Sequence, residues 1–221
     1  MTEGAHQLPV TLLGDVVESK SHPDRARLQA DLRAARVVVE RCVAAIQPPY
    51  VTAGDEFQGV YASVADAAFA SMLMRLQLLG SELPADTRYG LGIGEFTVFE
   101  GDSPTIEQDG PGWWAARAAI DQVKRLESRS RSASPHTWVR RWDGDDPQVN
   151  MANAFLLTRD ALIDGLSPRQ CRLIVDLIRG STAAQAAANE GITAPAASQT
   201  LNTSGAYALL DAHRAFAEAY A

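Results

Sequence analysis

The sequence predicts an α+β fold, a ferredoxin-like antiparallel sheet with helices on one face over 1–148, followed by a small all-α module over 149–221. Three observations predict it. Hydrophobic periodicity runs strand, helix, strand, strand, helix, strand, helix, strand, an order that suits an antiparallel or mixed sheet better than a doubly wound parallel one. After Asp143-Gly144-Asp145-Asp146-Pro147 the alternation stops, and every later periodic segment is helical. Finally, 221 residues with 46% hydrophobic and 21% charged side chains can bury one large core, or a medium core and a small one.

Residues 8–17 form a compact apolar run of strand length that ends in Gly14-Asp15. Residues 23–46 carry Leu28, Leu32, Ala35, Val39 and Val43 at helical spacing, and Pro48-Pro49 halts that pattern. Residues 50–53 and 57–61 read as two short strands, with Gly54-Asp55-Glu56-Phe57 as the tight reversal between them. A helix over 64–79 is closed by Gly80, and residues 88–98 alternate as a strand with a glycine at every second position. A helix over 113–126, a polar connector over 128–134 and a weakly alternating strand over 136–142 complete the first part. In the second part, Ser167-Pro168 opens a helix that Gly180 stops, Ser181-Thr182 and Thr193 cap two short helices around Gly191, and residues 206–220 form a last one.

Composition excludes several function classes. Twenty Lys+Arg against 27 Asp+Glu leave a net charge of −7, the reverse of a surface that grips nucleic acid everywhere, so any such contact is local. The two cysteines, Cys42 and Cys171, show no metal-ligand spacing and no disulfide framework, which fits a reducing, cytoplasmic location. No apolar run approaches 18 residues and the N-terminus has no basic-then-apolar leader, so neither membrane insertion nor secretion is expected.

Charge inside an apolar strand needs a reason, and Asp15 follows Val10, Leu12 and Leu13 directly. If the first strand pairs beside the 54–57 reversal, the neighbouring backbones lie about 4.8 Å apart, so carboxylates on one edge, Asp15 with Asp55 or Glu56, can share a cation. Mg²⁺ takes one or two protein carboxylates and completes its shell with water and phosphate oxygens, and Mn²⁺ suits the same oxygen donors. The alternative is that Asp15 caps a turn and Asp55 merely occupies a hairpin tip.

The segments Gly14-Asp15-Val16-Val17-Glu18-Ser19-Lys20 and Thr52-Ala53-Gly54-Asp55-Glu56-Phe57-Gln58-Gly59, with Arg25 between them, resemble the SatD family of bacterial proteins. They are also similar, more distantly, to the palm domain of nucleotidyl cyclases. That resemblance implies metal ligation by Asp15 and Asp55, with Glu56 as the alternate. Arg88-Tyr89-Gly90-Leu91-Gly92-Ile93-Gly94 resembles the cyclase strand before the substrate segment, and Gly112-Trp113-Trp114-Ala115-Ala116-Arg117 resembles G-x-x-N-x-A-A-R. The likeness implies that Arg117 stabilises charge on a reacting phosphate, a catalytic role. Trp stands at 113 where the ribose-orienting Asn of such cyclases is expected; Trp113 either stacks on a base as a nucleotide-binding residue or belongs to the core. Lys20 is the candidate phosphate contact, with a solvated surface lysine as the alternative. Cyclase-like palms also imply a homodimer.

From Ser167 onward the capped helices and glycine turn resemble the helix-turn-helix of bacterial transcription and sigma factors. The second helix of that pair has no Arg or Lys, which leaves Ser198, Gln199, Thr200 and Asn202 as candidate DNA contacts. A basic cluster lies elsewhere: Arg117, Lys124, Arg125, Arg129, Arg131, Arg140 and Arg141 face only Asp121 and Glu127. The expectation is therefore a regulator that binds a nucleotide with Mg²⁺ or Mn²⁺ on the palm and relays it to DNA or a protein partner. Its rivals are a working cyclase or nucleotidyltransferase, and a palm that serves only as a dimerisation scaffold.

Overall fold

The computed structural model describes residues 8–99, 107–129 and 135–220. Arg131, most of the 128–134 connector and residues 1–7 therefore lie outside the described residues. In chain order, β1 (Val10–Val16), α1 (Arg25–Cys42), β2 (Gln47–Ala53), β3 (Glu56–Tyr61), α2 (Val64–Leu79) and β4 (Thr87–Ile93) build a split β-α-β-β-α-β unit. β1 pairs antiparallel with both β3 and β4, and β2 pairs antiparallel with β3. The chain continues through β5 (Thr97–Phe99), β6 (Glu107–Asp109), α3 (Pro111–Glu127) and β7 (Thr137–Arg141). Because β7 joins β4 in parallel, the five-stranded sheet β2-β3-β1-β4-β7 is mixed. The expected α+β class and ferredoxin-like strand order are both present.

Three local differences have physical causes. The segment expected as one strand over 88–98 is two elements: β4 ends at Ile93, and β5 leaves to pair with β6. At the break, the Gly94 N–H donates to the Pro9 carbonyl at 3.2 Å, and a Cβ on Gly94 would meet the Gly112 backbone at 2.8 Å. The first helix stops at Cys42, four residues early, because Val43 is already extended. Pro48 and Pro49 then fall within β2, an edge strand whose register slips between Gln47 and Tyr50; edges tolerate the missing donors.

The third difference concerns layering. Strand alternation sends Val10, Leu12 and Val16 to the main core, which also holds Leu28 and Leu32 of α1 and Leu73 and Leu76 of α2. Leu13 and Val60 point the other way and meet Trp113 and Ala116 of α3. Helix α3 thus covers the second face of the sheet, and glycine alternation in β4 permits it. A Cβ on Gly90 would meet the Ala116 carbonyl at 2.1 Å, and one on Gly92 the Gly112 carbonyl at 2.0 Å, so the helix backbone lies directly on the strand.

Helices α4 (Pro147–Asp164), α5 (Pro168–Ile178), α6 (Ala183–Asn189), α7 (Ala194–Thr203) and α8 (Ala206–Tyr220) complete the chain. Ser167 and Thr182 each form a reciprocal capping box, and the Thr193 side chain accepts from the Ala196 N–H. The division expected at 148/149 falls in the first turn of α4. One hydrophobic core runs from Leu12 through Met72 and Leu76 to Ile174 and Leu209. Helix α2 explains this continuity: it is apolar on nearly every side because the sheet lies beneath it while α5 and α8 cover it.

Candidate functional site

The site begins with register. On β1, Asp15 lies opposite Glu56 of β3 on one side and Arg88 of β4 on the other. All three share the face covered by α3, because period-two alternation puts them with Leu13, Val60 and Gly90. Directly opposed residues on antiparallel strands have Cβ atoms about 4.5–5.5 Å apart, so Asp15 and Glu56 present neighbouring carboxylates. Gly14 sets the local geometry: a Cβ there would meet the Phe57 ring at 2.3 Å, so its absence lets Phe57 lie across β1 on the core face.

Strand β4 and helix α3 supply the countercharges. The Asp15 Oδ1 accepts from the Arg88 Nε at 3.1 Å, and its Oδ2 lies 2.7 Å from the Lys124 Nζ. Arg88 also donates to Glu127 at 2.7 Å. Arg117 makes a two-pronged pair with Glu56, at 2.8 Å and 3.2 Å. Burial works against the Arg88 charge, but Asp15 and Glu127 hold its pKa above the ordinary arginine value. The hydrogen bond to Glu56 raises Arg117 likewise. Three cations and three carboxylates are thus interleaved on one half-exposed face.

The remaining sequence-predicted residues are distributed around this edge. Asp55 sits in the turn before β3, half-buried, with no ion-pair or hydrogen-bond partner among the described residues. The Gln29 side chain of α1 donates to the Gly54 carbonyl at 2.6 Å and so fixes that turn. Lys20 is exposed on a short 3-10 turn beyond β1, entered through Glu18 in the left-handed region at φ 52°. Of the two uses left open for Trp113, the structure gives the core one: it is 7% exposed and packs with Leu13, Val60, Ala116 and Phe96. A base has no access to it. The exposed indole is its neighbour Trp114, which meets Trp142 edge to face at 5.0 Å and donates to Asp109 at 2.6 Å. On α7, Gln199 and Asn202 are exposed and Ser198 is half-buried, far in sequence from the acidic pair.

Sequence reasoning named Lys124 and Glu127 only in a basic cluster apart from the acidic pair, and Arg88 only in a strand, so it did not bring these three to the site. Lys124 and Arg117 stand seven apart on α3, two helical turns on one face, and that spacing was the available signal. Arg88 gave no comparable signal, since its partner Asp15 lies 73 residues away.

A second group has metal-ligand proximity. Oxygen or nitrogen atoms of Asp86, His136 and Asp164 lie within 4.8 Å of one another. The cation of that cluster is already a side chain: Arg75, 1% exposed, donates to both Asp86 oxygens at 2.7 Å and 3.0 Å and to Asp164. Burial opposes the Asp164 charge, yet His136 and Arg75 keep its carboxyl below the usual range. A cleft of about 730 Å³ lies elsewhere, between α1, α2, α5 and α6. Its charged walls are largely self-paired, as in Arg27–Asp31 at 3.0 Å and Arg172–Glu190 at 2.7 Å.

The mixed sheet thus carries two carboxylates side by side where its central strand β1 meets β3, with the cationic side chains of helix α3 over them. The chain belongs to the SatD family, whose model matches residues 9–193. Among curated proteins, none matches the chain significantly. Looser likenesses extend to solved structures. The guanylate cyclase domain of RhGC from Catenaria anguillulae, in complex with GTP, is 16% identical, with 61% of this chain and 78% of that chain covered and a TM-score of 0.42. The active GGEEF domain of a diguanylate cyclase from Vibrio cholerae is 12% identical, with 62% and 85% covered and a TM-score of 0.41. A bacterial light-regulated adenylyl cyclase is 11% identical, with 67% and 80% covered and a TM-score of 0.43.

Proposed function

We propose that the chain is a regulator that binds a nucleotide with Mg²⁺ or Mn²⁺ at the Asp15–Glu56 edge and relays that binding to what α6 and α7 offer DNA or a protein partner. The observation that carries this reading is the cross-strand pairing of Asp15 with Glu56 beneath Arg88, Arg117 and Lys124. Two carboxylates suit a hard cation that takes its remaining ligands from water and phosphate. Asp55, in the adjacent turn, is the third carboxylate within the segment, and Lys20 is the phosphate contact from the loop beyond β1. The bound cation would neutralise phosphate charge. The acidic side chains hold that ion, while the α3 cations and Lys20 orient the phosphates.

The readout arm in this proposal is the pair α6 and α7, with Ser198, Gln199 and Asn202 as the contact residues of a helix-turn-helix. Because α7 has no Arg or Lys, DNA affinity in this reading depends on two copies acting together, as a cytoplasmic homodimer. One observation favours a second reading, a cyclase or nucleotidyltransferase: Arg117 projects a half-exposed guanidinium over the same carboxylate pair. Burial of Trp113 in place of a ribose-orienting amide counts against it.

Calorimetry with ATP or GTP and Mn²⁺ separates these readings. The regulator reading expects saturable binding that Asp15→Asn weakens at least about tenfold, with no new product on chromatography of the mixture. Cyclic product or pyrophosphate that disappears in Arg117→Ala would transfer the assignment to the enzyme. Absence of binding with any nucleotide–metal pair would leave only the scaffold.

A further inference from the structure

Resting on the reading above, we propose that Lys124 is a resident counter-cation at the Asp15 metal position, which a divalent ion must displace to bind. The two oxygens of Asp15 are held differently. Oδ1 is held by Arg88, whose side chain is 17% exposed and is tied on its other side to Glu127 at 2.7 Å. Oδ2 is held at 2.7 Å by the Lys124 ammonium, whose side chain is 40% exposed. A hard divalent ion sits about 2.0–2.1 Å from a carboxylate oxygen. Ion and ammonium on the same oxygen would repel each other at close range, so they compete for Oδ2.

Which cation yields follows from tethering. Arg88 is pinned between two acids at its strand position, and leaving would strand Glu127 as well as Asp15. Lys124 has Asp15 as its sole ion-pair partner among the described residues, and its flexible stem reaches water from the last turn of α3. Exchange at Oδ2 costs one ion pair whose lysine side is in contact with water, a weaker link than the doubly held Arg88. Once displaced, the ammonium remains anchored to α3 beside the ion, where a phosphate oxygen is its natural new partner. Arg117 at Glu56 is arranged similarly, with a side chain 49% exposed. The device makes cation binding and anion binding mutually favourable, since each removes the partner that occupied the other.

The chain contains two lysines, Lys20 and Lys124, so amine acetylation read by mass spectrometry reports Lys124 against an internal reference. In full-length protein without nucleotide, saturating Mg²⁺ should speed Lys124 acetylation several-fold and leave Lys20 unchanged. Mn²⁺ titration followed by the free-ion resonance signal should show Lys124→Met binding about 3- to 10-fold tighter than wild type. Arg125→Gln, which removes the neighbouring charge that faces Gln122 instead, should stay within twofold. Binding in Lys124→Met but not in wild type also supports displacement. If Mn²⁺ binds wild type yet Lys124→Met is unchanged or weaker, or Arg125→Gln tightens equally, displacement is wrong while the metal site stands. If neither wild type nor Lys124→Met binds Mn²⁺, the nucleotide–metal reading itself falls.

Discussion

Two ionic clusters flank the same sheet with similar chemistry and opposite burial. Beneath α3, Asp15, Glu56 and Glu127 meet Arg88, Arg117 and Lys124 at an edge where most of these side chains keep contact with water. Between the sheet, α2 and α4, Arg75, Arg159 and Asp160 are all but inaccessible, 1%, 1% and 0% exposed. There Asp160 accepts from the His136 and Thr137 N–H groups at 2.9 Å and 2.7 Å, while Arg159 donates to the Ala68 carbonyl and to Thr137. In the dry cluster Arg159 and Asp160 are locked by buried partners, and Arg75 links them to the part-exposed Asp86 and Asp164. In the wet one, water can replace the part-exposed Arg117 and Lys124, so these two are free to exchange with ligands. Depth, not composition, separates the fastening from the site.

Removing one partner from the dry cluster should have the largest effect. Asp160→Ala leaves the buried Arg159 charge without its carboxylate and two backbone N–H groups unsatisfied, and is expected to cost about 3–5 kcal/mol, read as a lower denaturation midpoint. A loss below 1 kcal/mol would mean that the two clusters do not differ as described.

The rule that buried charge must be paired also predicts a pH effect. His213 of α8 stacks on Phe69 at 4.5 Å, and its Nδ1 is buried without a partner. Burial, aided by the Arg159 charge, pushes its pKa down to about 4. Between about pH 6.5, the unfolded value, and pH 4 the unfolded chain binds the extra proton, so stability should fall as pH falls through that window. The loss approaches about 3 kcal/mol near and below pH 4. His213→Leu should flatten this slope in urea melts at pH 4.5 and 7. An unchanged slope would show that other groups carry it.

The smallest effect belongs to the wet cluster. Arg117→Gln should shift stability by less than about 1 kcal/mol, because half-exposed pairs contribute little. A loss as large as that of Asp160→Ala would make the edge a structural fastening and erase its distinction as a site.

How much was readable beforehand varies by residue. The β-α-β-β-α-β order was legible because each element carries its own period, and Asp15 drew notice because an acid seldom ends an apolar strand. The choice between Asp55 and Glu56 as its neighbour was not legible, since a one-residue change in register exchanges the faces of a strand. The fate of Trp113 was equally hidden: adjacent indoles at 113 and 114 look alike in sequence, and only the docking of α3 buries one and exposes the other. The strand over 88–98 was read too long because the glycine alternation that admits α3 continues into Gly94, where the chain leaves the sheet.

The sequence by itself determined the elements, their caps and the segment 54–57 as an acidic turn, because propensity, periodicity and turn chemistry act over a few residues. Tertiary structure alone decided that Asp15 faces Glu56 and Arg88, that α3 brings Lys124 over them, and that the helices after 147 share the core of α2. Those pairings join residues 41 to 109 positions apart, and strand register and helix docking, to which no single segment holds the key, set the electrostatics of the site.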